Sequence, residues 1–271
     1  MRRFYVTQPS FLRITFLSIC AVLPSLSAST IQAQDLSDRG KQFYEQRHAE
    51  ADSFRANPTN INQAIEIFEE SLQQNIKPEQ SATYLLRSYY FKGMYTGLTE
   101  DQKKEVYQKG KDFGEQMIEQ FPNSVPIKFW YAANLGRWAD VHGFVKAATS
   151  GISQKLRRIC EDIIKNDPQY QGGGGYRILA QVHFYSPHIP IVMGWPSKEK
   201  ALELVERALA VDSNHPSNRI LYAQILLELD NREEARKQLQ QLQQMRPRPS
   251  HTVEDYYVQH RSRELLEKHF N

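Results

Sequence analysis

Cysteine is scarce in this chain of 271 residues: only Cys20 and Cys160 are present. Cys20 lies inside an apolar leader, so the remainder carries one cysteine and cannot form an internal disulfide. Charge of one sign is also missing. Lys and Arg number 34 against 31 Asp and Glu, a formal balance of +3. Arg2, Arg3 and Arg13 account for that excess, because residues 1–33 contain no Asp, Glu or Lys. The chain beyond residue 33 is balanced, which removes the general positive field that a nucleic-acid backbone would need. No stretch alternates polar and apolar residues at period two for long, so a β fold is excluded. Hydrophobic residues at 40% and charged residues at 24% exclude wholesale disorder.

The first 33 residues read as a cleaved secretory signal. A basic start precedes the apolar run Ile14–Ala28, which Ser residues and Pro24 interrupt. The run is too short, and too broken, for a membrane span of about 18 residues or more. Cleavage before Gln34 follows Ile31-Gln32-Ala33, with Ala28 and Ser29 as other end points. Leu17-Ser18-Ile19-Cys20 begins like a lipobox, but Ile19 is bulky where such sites take a small residue. Simple export to the periplasm or medium is therefore preferred over a lipid anchor at Cys20.

Residues 34–271 read as one all-α domain. Ala64-Ile65-Ile67-Phe68-Ser71-Leu72, Ala201-Leu202-Leu204-Val205-Ala208-Leu209 and Leu221-Tyr222-Ile225-Leu226-Leu229 all show helical spacing. Breaks fall at Asn57-Pro58, Lys77-Pro78, Phe121-Pro122-Asn123, Asp167-Pro168, Asn214-His215-Pro216 and Arg246-Pro247. Gly110, Leu156, Ala201 and Ala235 each precede a break by one helix length. Ala201 and Ala235 stand 34 residues apart, the period of the tetratricopeptide repeat. This spacing predicts a solenoid of five helical hairpins, at 37–76, 80–122, 125–168, 175–213 and 216–247. Small residues at Ala133, Ala180, Ala201, Ala223 and Ala235 would let paired helices approach. The segment Val253–Phe270 would cap the open end, after the N-cap residue Thr252 and the first-turn acids Glu254 and Asp255.

Two hairpins carry a more specific pattern. Trp130-Tyr131-Ala132-Ala133-Asn134-Leu135-Gly136-Arg137-Trp138-Ala139-Asp140 is followed by Asn166-Asp167-Pro168 and by Gly172-Gly173-Gly174-Gly175-Tyr176-Arg177. Then come Ser186-Pro187-His188-Ile189-Pro190, Gly194-Trp195 and Lys198-Glu199-Lys200-Ala201. Over roughly 80–250 this order resembles the T-component family of TRAP transporters, and more distantly the regulators of microtubule dynamics. The resemblance implies a periplasmic solute-binding protein as partner and an apolar carboxylate as ligand. It also departs from the family: those proteins are commonly lipoproteins. Their Gly-Gly-Asp turn is replaced here by Met193-Gly194-Trp195-Pro196-Ser197, so any role of that Asp is not carried over.

Candidate chemistry is thin. Cys160, among Leu156, Ile159 and Ile163, reads as a core residue rather than a nucleophile. The run Gly172–Gly175 lacks the Gly-Lys-Ser/Thr ending of a phosphate loop and reads as a close-packing turn. None of the eight histidines shows metal spacing; His183 and His188 straddle a proline loop. No cofactor and no metal are expected. The concave face is the better candidate, with Arg177, Gln181, Phe184 and Tyr185 from the fourth hairpin. Trp130, Asn134, Arg137 and Trp138 come from the third, and Leu85, Tyr89 and Lys92 from the second. Aromatics interleaved with Arg and amides suit a groove for an apolar body with an anionic head. Arg137 and Arg177 would lie on one stretch of that groove, where Asp140 is an internal alternative to a ligand carboxylate.

The expected function is a non-enzymatic exported scaffold. Its groove would hold a protein partner or a small apolar acid, as an accessory component of a TRAP-type system. The other class is an envelope hydrolase built on the same frame. Homo-oligomers are compatible with the pattern; nucleic acid is not an expected partner.

Overall fold

A computed structural model describes residues 36–143, 151–186 and 194–270. The leader, Cys20 and His188 lie outside these residues. Eleven helices are found among the described residues and the only extended pairing there is an isolated bridge from Asp52 to Arg55. They are α1 (36–45), α2 (Pro58–Gln73), α3 (Pro78–Tyr95), α4 (Glu100–Gln120), α5 (Val125–His142) and α6 (Ile152–Asn166). The others are α7 (Tyr170–Tyr185), α8 (Lys198–Val211), α9 (Pro216–Glu228), α10 (Arg232–Gln244) and α11 (Thr252–Phe270). Consecutive pairs form five hairpins with the expected boundaries to within a few residues.

Local chemistry sets the starts. Pro58, Pro78, Pro126 and Pro216 occupy the first turns of α2, α3, α5 and α9, where a missing N–H costs nothing. Asn57 caps α2 by accepting from the Thr59 amide at 2.9 Å. Thr99 and Gln102 form a reciprocal capping box on α4. Ser124 and Ser197 cap α5 and α8 through their own hydroxyls.

Small residues set the packing. Ala180, Ala201, Ala223 and Ala235 are fully buried, while Ala133 stands on the wall of a cavity. Gly110 is held to glycine by its neighbour, since an added Cβ would come 2.4 Å from Asn134 Oδ1. Two hairpins are also pinned by a satisfied polar contact: Ser81 Oγ lies 3.0 Å from both Ser71 Oγ and Ser37 Oγ.

The first helices of hairpins two to five line the inside. Each touches the next, α3 to α5, α5 to α7 and α7 to α9, and α11 continues the row from α9. Their direction is shared: α7 meets α9 near both N-termini through Arg177 and Asn218, and near both C-termini through Tyr185 and Gln224.

The last helix caps the open end as expected, and the structure gives it a second role. Beyond sealing the last hairpin, α11 crosses back to α3 and closes the inner row into a ring. Its second half, with Leu265, Leu266 and Phe270, packs on Ala223, Leu239 and Leu242 of the last hairpin. Its first half, with Val253 and Tyr257, joins the core of the first hairpins. The seam is stitched by Arg47, which donates to Glu254 at 2.6 Å and to the Ser250 carbonyl at 2.8 Å. Tyr257 meets Tyr95 edge-on at 5.5 Å, and His260 stacks on Phe54 at 4.2 Å.

Candidate functional site

Closing the ring turns the concave groove into a cavity of about 330 Å³. That is within the range of small-molecule sites, at the lower end. Its apolar wall includes Phe91, Met94, Leu156, Ile178 and Val182. Its polar groups are dominated by guanidinium: Arg87, Arg137, Arg177, Arg248 and Arg261 all reach it, against Asp140 and Glu254.

Five of the eight candidate groove residues line this cavity: Trp130, Arg137, Arg177, Gln181 and Tyr185. Three are placed elsewhere. Asn134 is fully buried, donating to the carbonyls of Leu86 at 2.9 Å and Trp130 at 2.8 Å. Trp138 turns to α4 and donates to Gln108 at 2.6 Å, with His142 stacked on it. Phe184 packs against the main core. In the second hairpin the helix face is rotated from the one expected. Leu85 is buried in the core of the first hairpins, and Tyr89 donates to Glu69 of α2 at 2.7 Å. Lys92 is likewise off the cavity, where Arg87, Tyr90, Phe91 and Met94 stand instead. One residue is about 100° of helix, and α3 has to serve α2, α4 and α5 at once.

The arginines differ in what neutralises them. Arg137 pairs with Asp140 at 2.7 Å, the internal alternative expected from the sequence. Arg248 holds Asp255 through two guanidinium nitrogens, at 2.9 and 2.6 Å. Arg177 is 8% exposed and finds only neutral oxygens, Asn218 Oδ1 at 2.7 Å and the Gln171 carbonyl at 3.3 Å. Its burial pulls the guanidinium down to about 10. Arg87 lies over Tyr44, Tyr84 and Trp130 at 4.6, 4.7 and 5.2 Å from their ring centroids. Neither Arg87 nor Arg177 has a carboxylate within ion-pair distance among the described residues.

Two histidines complete this end. His215 accepts the Ser217 amide at 3.2 Å as the N-cap of α9. Burial, then the charges of Arg177 and Arg248, drive it down to about 2, so it is neutral. His251 is lowered too, by burial first, with Arg248 and Arg47 adding to it and Glu254 opposing.

The glycine run carries Arg177 to its place. Gln171, Gly172 and Gly173 all adopt left-handed backbone, with φ of 52, 61 and 77°. A Cβ on Gly173 would stand 2.9 Å from the Ala208 Cα, so the turn is fitted against α8. Cys160 is fully buried, and burial pushes its thiol far up, away from thiolate chemistry. His183 accepts from the Ser197 amide at 3.3 Å, and burial lowers it to about 4. No group of three His, Cys, Asp or Glu side chains gathers for a metal among the described residues. No described helix is long and apolar enough to cross a membrane.

Comparison with known proteins locates the frame. Residues 199–251 match the tetratricopeptide repeat family. A thermophilic TPR protein of Thermus thermophilus, TTC0263, superposes with a TM-score of 0.60 at 14% identity. The match covers 87% of this chain and 99% of that one. The fold is of the tetratricopeptide type. The MamA protein aligns over 90% of this chain and 96% of its own at 12% identity, with a TM-score of 0.43. No curated protein matches the chain. Within the tetratricopeptide-type frame, the family match takes in α8, α9 and α10 and stops just before α11.

The seam residues Arg47 and Glu254 and the cavity residues Arg87, Arg248, His215 and His251 carry no signal of their own in the sequence. Only ring closure brings positions 47 and 254 together.

Proposed function

We propose that this is an exported, non-enzymatic tetratricopeptide-type scaffold that encloses a small ligand with an anionic head and an apolar body. The observation that carries the reading is the pair Arg87 and Arg177, which face one cavity without carboxylate partners among the described residues. A guanidinium held in a dry site is costly unless an anion completes it. The apolar wall beside it supplies the place for the rest of the ligand. The leader before Gln34 supports export, and the resemblance over 80–250 supports an accessory role beside a periplasmic solute-binding protein of a TRAP-type system.

Native mass spectrometry of the protein recovered from the envelope of its host tests the reading. The expected mass is a chain starting between Ser29 and Asp35, plus a non-covalent small acid that is lost when Arg87 and Arg177 are both replaced by Gln. A chain beginning at a lipid-modified Cys20 would contradict soluble export. Protein that is bare in the wild type and in the double variant would contradict ligand capture.

A further inference from the structure

The cavity is charged unevenly along its length. One rim is where α7, α9 and α11 begin, and Gln171, His215 and His251 mark these starts on the wall, with Phe129 and Trp130 from the second turn of α5 beside them. Helix N-termini carry partial positive charge, so this rim is positive before side chains are counted. Four guanidinium groups add to it. Arg47 and Arg87 both lie against the Tyr44 ring, at 4.5 and 4.6 Å from its centroid. Arg47 also reaches Ser250, the neighbour of His251. Arg248 and Arg177 both act on His215, which completes the belt.

Against these four stand two carboxylates in direct contact, Glu254 on Arg47 and Asp255 on Arg248. Arg87 and Arg177 are the two without a carboxylate in contact: Arg87 hydrogen-bonds to Tyr44, and Asp212 acts on Arg177, as on Arg248, only from beyond ion-pair distance. The Arg87 Nε has no acceptor among the described residues, and Arg177 has only amide oxygens. A ligand with a single negative charge would leave one guanidinium uncompensated. A head with two charges would match both.

We propose that this rim binds a phosphate monoester, with the ester's apolar group lying toward Phe91, Met94, Ile178 and Val182; the proposal rests on the ligand-cavity reading above and deepens it. A phosphate monoester carries close to two charges at neutral pH and three terminal acceptor oxygens. Its tetrahedral oxygens can take donors arriving from α3, α7 and the 246–251 linker at once. A carboxylate offers two coplanar oxygens and one charge. Burial first, and the charges of the belt after it, disfavour a proton on His215 and His251, and a neutral imidazole there offers one ring N–H as a donor without adding a further charge.

Calorimetric titration of the mature chain at about pH 8 with phenyl phosphate, phenyl sulfate and phthalate separates the alternatives. Phenyl sulfate has the same shape with one charge, and phthalate has two charges on separate carboxylates. Phenyl phosphate is expected to bind at least about tenfold more tightly than either, and Arg87→Gln or Arg177→Gln should reduce the preference to about threefold or less. Arg87→Lys and Arg177→Lys keep the charge and serve if the Gln variants fail to fold; they should retain most of the preference over sulfate. Equal binding of phosphate and sulfate would overturn the two-charge head, and tighter binding of phthalate would overturn the phosphate class. Failure of all three probes would overturn the rim as an anion site. The mass-spectrometric adduct decides the cavity reading independently, since an adduct with one charge would leave that reading standing and sink this one.

Discussion

His215 shows how one side chain links the rim to stability. It is neutral in the folded chain because burial and two guanidinium groups oppose its proton, whereas an unfolded histidine titrates near about 6.5. The unfolded chain therefore binds the extra proton as pH falls below about 6.5, and folding stability falls with it. His183, lowered to about 4, adds a second proton to the same window. Chemical melts between about pH 7 and pH 4 should show stability decreasing by roughly 1–3 kcal/mol per pH unit. His215→Asn keeps an N-cap acceptor for Ser217 and removes the titrating ring, so its slope should be shallower by about one proton. A slope unchanged in the variant would mean that His215 is charged in the folded state. Arg177 is legible from sequence because it sits just past a glycine run on a face with Gln181 and Tyr185. Arg87 is not, because the residue pattern of the second hairpin points to a face rotated from its true register.

At the scale of elements, the turn before α7 places Arg177 and sets how close α7 comes to α8. Three successive left-handed residues, two of them glycine, reverse the chain while the helices stay in contact. Gly173→Ala puts a Cβ into the Ala208 backbone at 2.9 Å and holds an L-residue at φ 77°. It should destabilise the fold by about 2–4 kcal/mol, the sum of left-handed strain and overpacking. Urea melts would check this; a loss under about 0.5 kcal/mol would mean that the turn relaxes freely. The hairpins themselves are readable because prolines mark helix starts and ends, as at Pro58, Pro78, Pro122, Pro168 and Pro216. Buried alanines repeat at the period that hairpin packing needs, as at Ala201 and Ala235. The end of the chain is only half readable. Leu265, Leu266 and Phe270 announce a capping face, but nothing local says that Val253 and Tyr257 reach the first hairpins.

The whole molecule is a ring because a solenoid of five hairpins curves far enough for α11 to meet α3. Its interior is apolar along one wall, and its positive end is where the inner helices start. Closure is what makes a groove into a container, so a ligand at the rim should stabilise both ends of the chain together. Hydrogen–deuterium exchange with and without phenyl phosphate measures this most directly. The expected result is slower exchange at three stretches distant in sequence, around 87–95, 171–178 and 251–258, appearing at the same ligand concentration. No change at these stretches, or slowing confined to outer helices such as α4 and α10, would contradict an anion held inside the ring.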